Sequence, residues 1–147
     1  VPHPVTGKPE KLEWVCSGWS IAKRAVEYLE SGRPSVITNL VNGKLEEISA
    51  EIVYKAAEMD DPLALTILGE TCETLGLAIA NVFALLHPEK VIIGGGVSLM
   101  GDLFWDRLND AVGRRIFGPF RDSWCIAKAA LGENVVVVGG VLLALSG

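Results

Sequence analysis

Val91-Ile92-Ile93-Gly94-Gly95-Gly96-Val97-Ser98 is an apolar stretch that runs into three consecutive glycines and leaves them on a turn-forming serine. β-Branched residues in a short run favour a buried, extended backbone, so the first part is expected to be a strand. Glycine has no Cβ, and three in succession let the main chain pass close to a ligand, adopt positive φ and turn its amides toward a flat or charged group. A nucleotide suits such a turn. A tight strand-to-helix turn selected for packing alone would use the same residues, so the rest of the chain has to decide.

Downstream, Leu103, Leu108, Val112 and Ile116 suggest a helix, and residues 124–129 alternate well enough for a second strand. Strand, helix, strand in that order predicts a parallel crossover unit. Upstream, Asp61-Pro62 is an N-cap followed by proline at the first helical position, and nothing breaks the helical pattern before His87-Pro88. At 1.5 Å rise per residue this helix is about 37 Å long. Residues 75–86 are apolar nearly all round, which implies cover by neighbours on most sides. Gly69 and Gly76 are seven apart, hence on one face, and read as tight packing. Earlier still, Ser49 is an N-cap with Ile48 and Val53 as a hydrophobic staple, opening a short helix through Glu58. Before it lies a polar connector with Asn42-Gly43 as a turn signal. Ser17-Gly18 opens a further helix whose Ile21, Ala22, Ala25, Val26 and Leu29 share an apolar face, closed by Ser31-Gly32-Arg33-Pro34. Residues 1–13 hold three prolines and no helical period, the pattern of an extended lead-in. The valines at 135–138 favour a strand while Gly139-Gly140 and the leucines beyond suit a packed helix, so pattern leaves 134–145 open.

A chain of 147 residues, half of them hydrophobic, has the length and the apolar material of one domain. The net charge of -5 gives no basic field for nucleic acid or anionic lipid, so this segment is not expected to bind DNA. The longest charge-free stretch, from Thr74 up to Glu89, falls short of the roughly 20 apolar residues of a membrane span and reads as a buried helix of a soluble protein. Cys16, Cys72 and Cys125 are odd in number and far apart, which fits reduced thiols and a cytoplasmic location. The chain opens at Val1 in a Pro-rich stretch like the middle of a loop, and is expected to be part of a longer one.

Three strings in register carry a family likeness: Leu12-Glu13-Trp14-Val15-Cys16-Ser17-Gly18, the glycine triplet with its Val97-Ser98 exit, and Leu131-Gly132-Glu133-Asn134 onward to Gly139. Together they resemble the C-terminal part of ROK proteins (repressor, open reading frame, kinase), which include bacterial glucokinases and sugar-responsive repressors. The resemblance covers nearly the whole chain. It implies an α/β architecture, the C-terminal half of an actin/hexokinase-like (ribonuclease H-like) fold, with helices packed on a small sheet and residues 1–147 forming one C-terminal domain. It implies that Gly94, Gly95, Gly96 and Val97 lie against the adenosine of ATP, and that Glu13 reaches sugar hydroxyls, as a carboxylate accepting two hydroxyls does. It also implies a helix for 134–145, with Gly139 packed against the nucleotide-binding sheet.

Departures from the family pattern are equally specific. The register puts Pro4, Thr6 and Lys11 where the family has three zinc-binding cysteines, and none can replace a thiolate, so no structural zinc is expected. His3 reads as a loop residue. Nothing matches the family's Asp-x-Gly-x-Thr phosphate loop or its catalytic Asp, so this segment alone is expected to be inactive. ATP and Mg would belong to the complete protein, with a hexose or amino-sugar ligand and a homodimer as implied partners. Two functions fit: the C-terminal portion of a glucokinase-like hexose kinase, or the ligand-binding part of a sugar-responsive transcriptional regulator.

Other constellations read as structural. Trp14 and Trp19 suit core or dimer contacts more than sugar stacking, Asp60-Asp61 and Glu46-Glu47 suit helix starts, and the cysteines have no partnering base.

Overall fold

In the computed structural model, which describes residues 1–130, 132 and 135–145, helix α5 (Pro62–Leu86) is the axis on which the others pack. Its start follows from Asp61, whose carboxylate accepts the Ala64 N–H at 2.9 Å, with Pro62 supplying a pre-set φ in the first turn. It stops at His87, which adopts the left-handed conformation at φ +49° immediately before Pro88. Around it lie α2 (Gly18–Glu30), α4 (Ala50–Glu58) and α6 (Asp102–Gly113), capped at the expected Ser17 and Ser49 in the first two cases. The core is where these helices meet, with Ile21, Val53, Ile67, Leu68, Phe83, Phe104, Leu108 and Val112 almost wholly buried. By length and composition α5 as a whole could cross a membrane, unlike the charge-free stretch alone, yet more than half of that span is buried inside the fold. It serves here as the core helix.

The crossover unit is as anticipated, with narrower strands. β1 (Val91–Ile93) and β2 (Ile126–Lys128) form a parallel two-stranded sheet in which Val91 pairs with Ile126 and Ile93 with Lys128, and α6 makes the crossover. Val91 and Ile93 pack on the core while Ile92 is 65% exposed, so β1 presents one face inward and one outward.

Several expectations need correction. Residues 1–12 are a closed loop rather than an extended lead-in, pinned by an antiparallel bridge between Pro2 and Pro9 and by the His3 N–H donating to the Lys8 carbonyl at 2.8 Å. Glu13 begins a one-turn helix, α1 (Glu13–Cys16), and another single turn, α3 (Ile37–Leu40), interrupts the connector. Hydrogen bonding explains both, since the local amides close on carbonyls three and four residues back without any apolar period to announce them. The last turn of α5 is not covered: Leu85 and Leu86 are 78% and 74% exposed. Close packing holds at Gly76, where α6 crosses, but not at Gly69, beside which a Cβ would meet nothing within 4 Å.

The last helix, α7 (Val135–Leu145), does form despite its valines. Gly139 is not packed against the sheet, however; a Cβ there would find open space within 4 Å, and Val137 and Val141 beside it are more than half exposed. Leu131, Glu133 and Asn134, which carry part of the family likeness and the expected helix start, lie outside the described residues.

Candidate functional site

The glycine turn owes its shape to two residues. Gly95 has φ +85° with an extended ψ, a backbone state that side chains other than hydrogen rarely enter. Ser98, fully buried, donates its hydroxyl to the Gly95 carbonyl at 2.7 Å, and its own N–H reaches the same oxygen at 3.0 Å. Trp105 on α6 then donates its indole N–H to the Ser98 carbonyl at 3.3 Å, tying the turn to the crossover helix. The turn is therefore fixed from behind. In front it is open, since a Cβ at Gly95 or at Gly96 would meet no atom within 4 Å.

That open space belongs to a concavity of about 1350 Å³, wide enough for a nucleoside and a hexose together. Gly94, Gly95, Gly96 and Val97 line it, and so does Glu13, so all five residues singled out in the sequence line one cleft. The α1 turn carries Glu13 at its first position, exposed, with no partner for its carboxylate among the described residues. It is free to accept hydroxyls.

A third wall was not legible in the sequence. Glu51, Tyr54, Lys55 and Glu58 of α4 line the same concavity, and their spacing of three, four and seven puts them on one helix face. The start of α4 reaches the start of α2 closely, with Ala50 Cβ 3.6 Å from the position of a Cβ on Gly18. The signal in the sequence was present, because the staple and cap fix the rotation of α4 and hence which face turns outward, but no motif pointed to it.

Chemically this wall suits a nucleoside more than its phosphates. Ile93, Val97, Leu99 and Met100 make the region of the glycine turn apolar. Among the described residues, the charged side chains lining the cleft are Glu13, Glu51 and Glu58 against Lys55, a poor surround for a triphosphate, and no group of three metal-ligating side chains occurs. Cys16 also lines the cleft, but burial pushes its thiol up to about 11, with Arg24 opposing, so it stays protonated and offers no nucleophile.

The remaining candidates are accounted for locally. His3 Nδ1 accepts the N–H groups of Val5 and Thr6 at 3.2 and 3.3 Å, closing the loop that holds Pro4, Thr6 and Lys11. Trp14 and Trp19 are half exposed rather than core, and the Lys11 ammonium lies 5.0 Å from the Trp14 ring centre. Trp19 lines the cleft. Asp61 is a cap, as read, while Glu47 sits in a turn before α4 and pairs with Lys44 at 2.7 Å.

The sequence pattern of the ROK family matches residues 4–146. The chain belongs to the ROK family. It is 34% identical over 134 residues to a glucokinase of Halalkalibacterium halodurans, covering 91% of this chain and 40% of that protein. It is 28% identical over 102 residues to a xylose repressor of Caldicellulosiruptor bescii, covering 69% of this chain and 26% of that protein. Its structure is similar to that of a ROK family glucokinase from Streptomyces griseus in complex with glucose and AMPPNP, with a TM-score of 0.81 and 27% identity over 96% of this chain and 46% of that one. The ROK chain thus has the actin/hexokinase-like fold, helix-rich on a small parallel sheet, and spans less than half the length of these relatives.

Proposed function

We propose that this ROK chain is the C-terminal portion of an ATP-dependent hexose kinase, in which Gly94, Gly95, Gly96 and Val97 form the adenosine wall and Glu13 accepts sugar hydroxyls. The observation that carries this reading is the single concavity shared by the glycine turn and the unpartnered Glu13 carboxylate. Likeness to a glucokinase that holds glucose and AMPPNP supports it. The apolar surround of the turn fits a nucleoside, whereas a lining that sets Glu13, Glu51 and Glu58 against Lys55 does not fit the negative charge of the phosphates. Phosphoryl transfer needs positioned phosphates, metal and base, and on this reading those come from the rest of the protein, so the segment alone is inactive. A hexose or an amino sugar is the acceptor, and the protein works in the cytoplasm as a homodimer.

The test is a coupled assay of the complete protein with ATP and a panel of hexoses and amino sugars. Sugar phosphate formation that is lost in Glu13→Gln supports the proposal, and a complete protein that turns over ATP with none of them refutes it. The repressor relative favours a second reading, a sugar-responsive regulator using the same cleft for its effector. Sugar-dependent binding of the complete protein to operator DNA, without turnover of ATP, would establish that alternative.

A further inference from the structure

Resting on the kinase reading, we propose that Tyr54 is the side chain against which the base of the bound nucleotide lies, making α4 the base-binding wall of the cleft. Bases stack on aromatic rings whatever their sequence identity, because every base has a π face. Tyr54 and Trp19 both line the concavity, but Trp19 follows Gly18 at the start of α2, whereas Tyr54 stands against Gly101 on the segment that leaves the glycine turn. Its position there is tightly defined: a Cβ on Gly101, five residues past Gly96, would stand 2.6 Å from the Tyr54 hydroxyl and 3.4 Å from Cζ. Gly101 leaves the ring its place.

The ring is also held. Part of it packs against the hydrophobic core, so it is fixed before any ligand arrives, and the rest faces the cleft with Leu99 and Met100 nearby. Burial pushes the pKa of its hydroxyl up, helped by the Glu58 carboxylate, so the ring remains a neutral phenol near neutral pH. Glu51 and Glu58 flank Tyr54 on the same face. Their charges repel phosphates and accept from exocyclic amines, which directs a nucleotide base-first toward α4 and its phosphates away.

The experiment uses the complete protein and isothermal titration with adenosine, ATP and the best hexose, for wild type, Tyr54→Phe, Tyr54→Leu and Tyr54→Ala, with thermal unfolding in parallel. Tyr54→Ala should weaken adenosine and ATP by about tenfold, the scale of one base–aromatic stack, with hexose affinity unchanged. Tyr54→Phe should bind as wild type does. Tyr54→Leu, which preserves bulk against the core, should fold normally and lose the same adenosine affinity. Unchanged adenosine binding in Tyr54→Leu would overturn the assignment while leaving the kinase reading intact, as would an equal loss of nucleotide and hexose. A wild-type protein that binds hexose but no adenosine compound would overturn both.

Discussion

Replacing Gly76 by alanine measures how closely α5 and α6 approach, and Gly69 in the same helix supplies the control. Neither glycine has a positive φ, so at both sites alanine removes the entropic cost of a helical glycine, worth about 1 kcal/mol. At Gly69 the added methyl meets nothing within 4 Å, and the gain stands alone. At Gly76 the same methyl would stand 2.7 Å from Ala111 Cβ, 3.0 Å from the Ala111 carbonyl carbon and 3.2 Å from the Val112 nitrogen. None of these atoms can rotate aside, so α6 must shift as a body, and with it Phe104, Leu108 and Val112 in the core. Overpacking of this kind costs roughly 1–3 kcal/mol, and the rigid contact argues for the upper end. Less the propensity gain, Gly76→Ala should lose about 2 kcal/mol. At about 2–4 °C per kcal/mol for a chain of this size, it should melt about 4–8 °C below wild type and Gly69→Ala about 2–4 °C above it. Circular dichroism melts of the two variants side by side are sufficient. A Gly76→Ala protein as stable as Gly69→Ala would refute the close helix crossing.

Arg24→Ala should destabilise by roughly 3 kcal/mol in urea titration, because the nearly buried guanidinium donates to Thr71 Oγ1 at 2.7 Å and to the Val15 carbonyl at 3.3 Å and faces Glu70 at 3.5 Å, leaving Glu70 uncompensated when it is removed. Asp61→Ala should lose about 2–3 kcal/mol by the same measurement, since one carboxylate caps α5 through Ala64 N–H and also accepts from Ser35 Oγ and Val36 N–H, all at 2.9 Å. Native-state alkylation at mildly alkaline pH, read by mass spectrometry, should modify Cys125 and spare buried Cys16 and Cys72, whereas unfolded protein should take three labels. Burial pushes Cys16 up to about 11 and Cys72 up to about 12 from 9.0, so the unfolded chain loses these protons first. Their stabilising effect is whole below pH 9 and falls as pH rises from there through 11 and 12, by about 1.4 kcal/mol per pH unit for each thiol; Cys16→Ala should flatten that alkaline decline.

What the sequence disclosed depended on whether a local rule acts alone. Caps and turns do: Asp61-Pro62, Ser49 with its Ile48 and Val53 staple, and Ser17-Gly18 all lie at observed helix starts. The glycine triplet likewise declared both its strand and its turn. Burial depends on what lies opposite, which no local rule states. Gly69 and Gly76 share one face by spacing, yet only Gly76 meets α6. The continuous apolar surface of α5 and α7 promised cover, whereas Leu86 and Leu143 are each more than 70% exposed. Likewise, α4 is amphipathic in the ordinary way, and that Tyr54 stands against Gly101 follows only from how α4 packs among its neighbours.

The two halves of the candidate site were therefore written in different ways. The glycine turn needs absence of side chains at particular positions, and absence is visible in sequence because only glycine provides it. A wall facing that turn needs only a flat, firmly held, neutral surface, which many residues on many helices could supply. Such a wall is chosen by packing, and packing is where the structure adds what the sequence withholds. On the proposed reading the same logic extends to charge: a neutral-to-acidic wall can hold a nucleoside at no electrostatic cost, but it cannot neutralise a triphosphate, whose cationic partners must face this wall from other residues of the complete protein. Base recognition and phosphate chemistry are then carried by different parts of the chain, and substitutions at Tyr54 and at the phosphate-binding groups should be additive in ATP affinity.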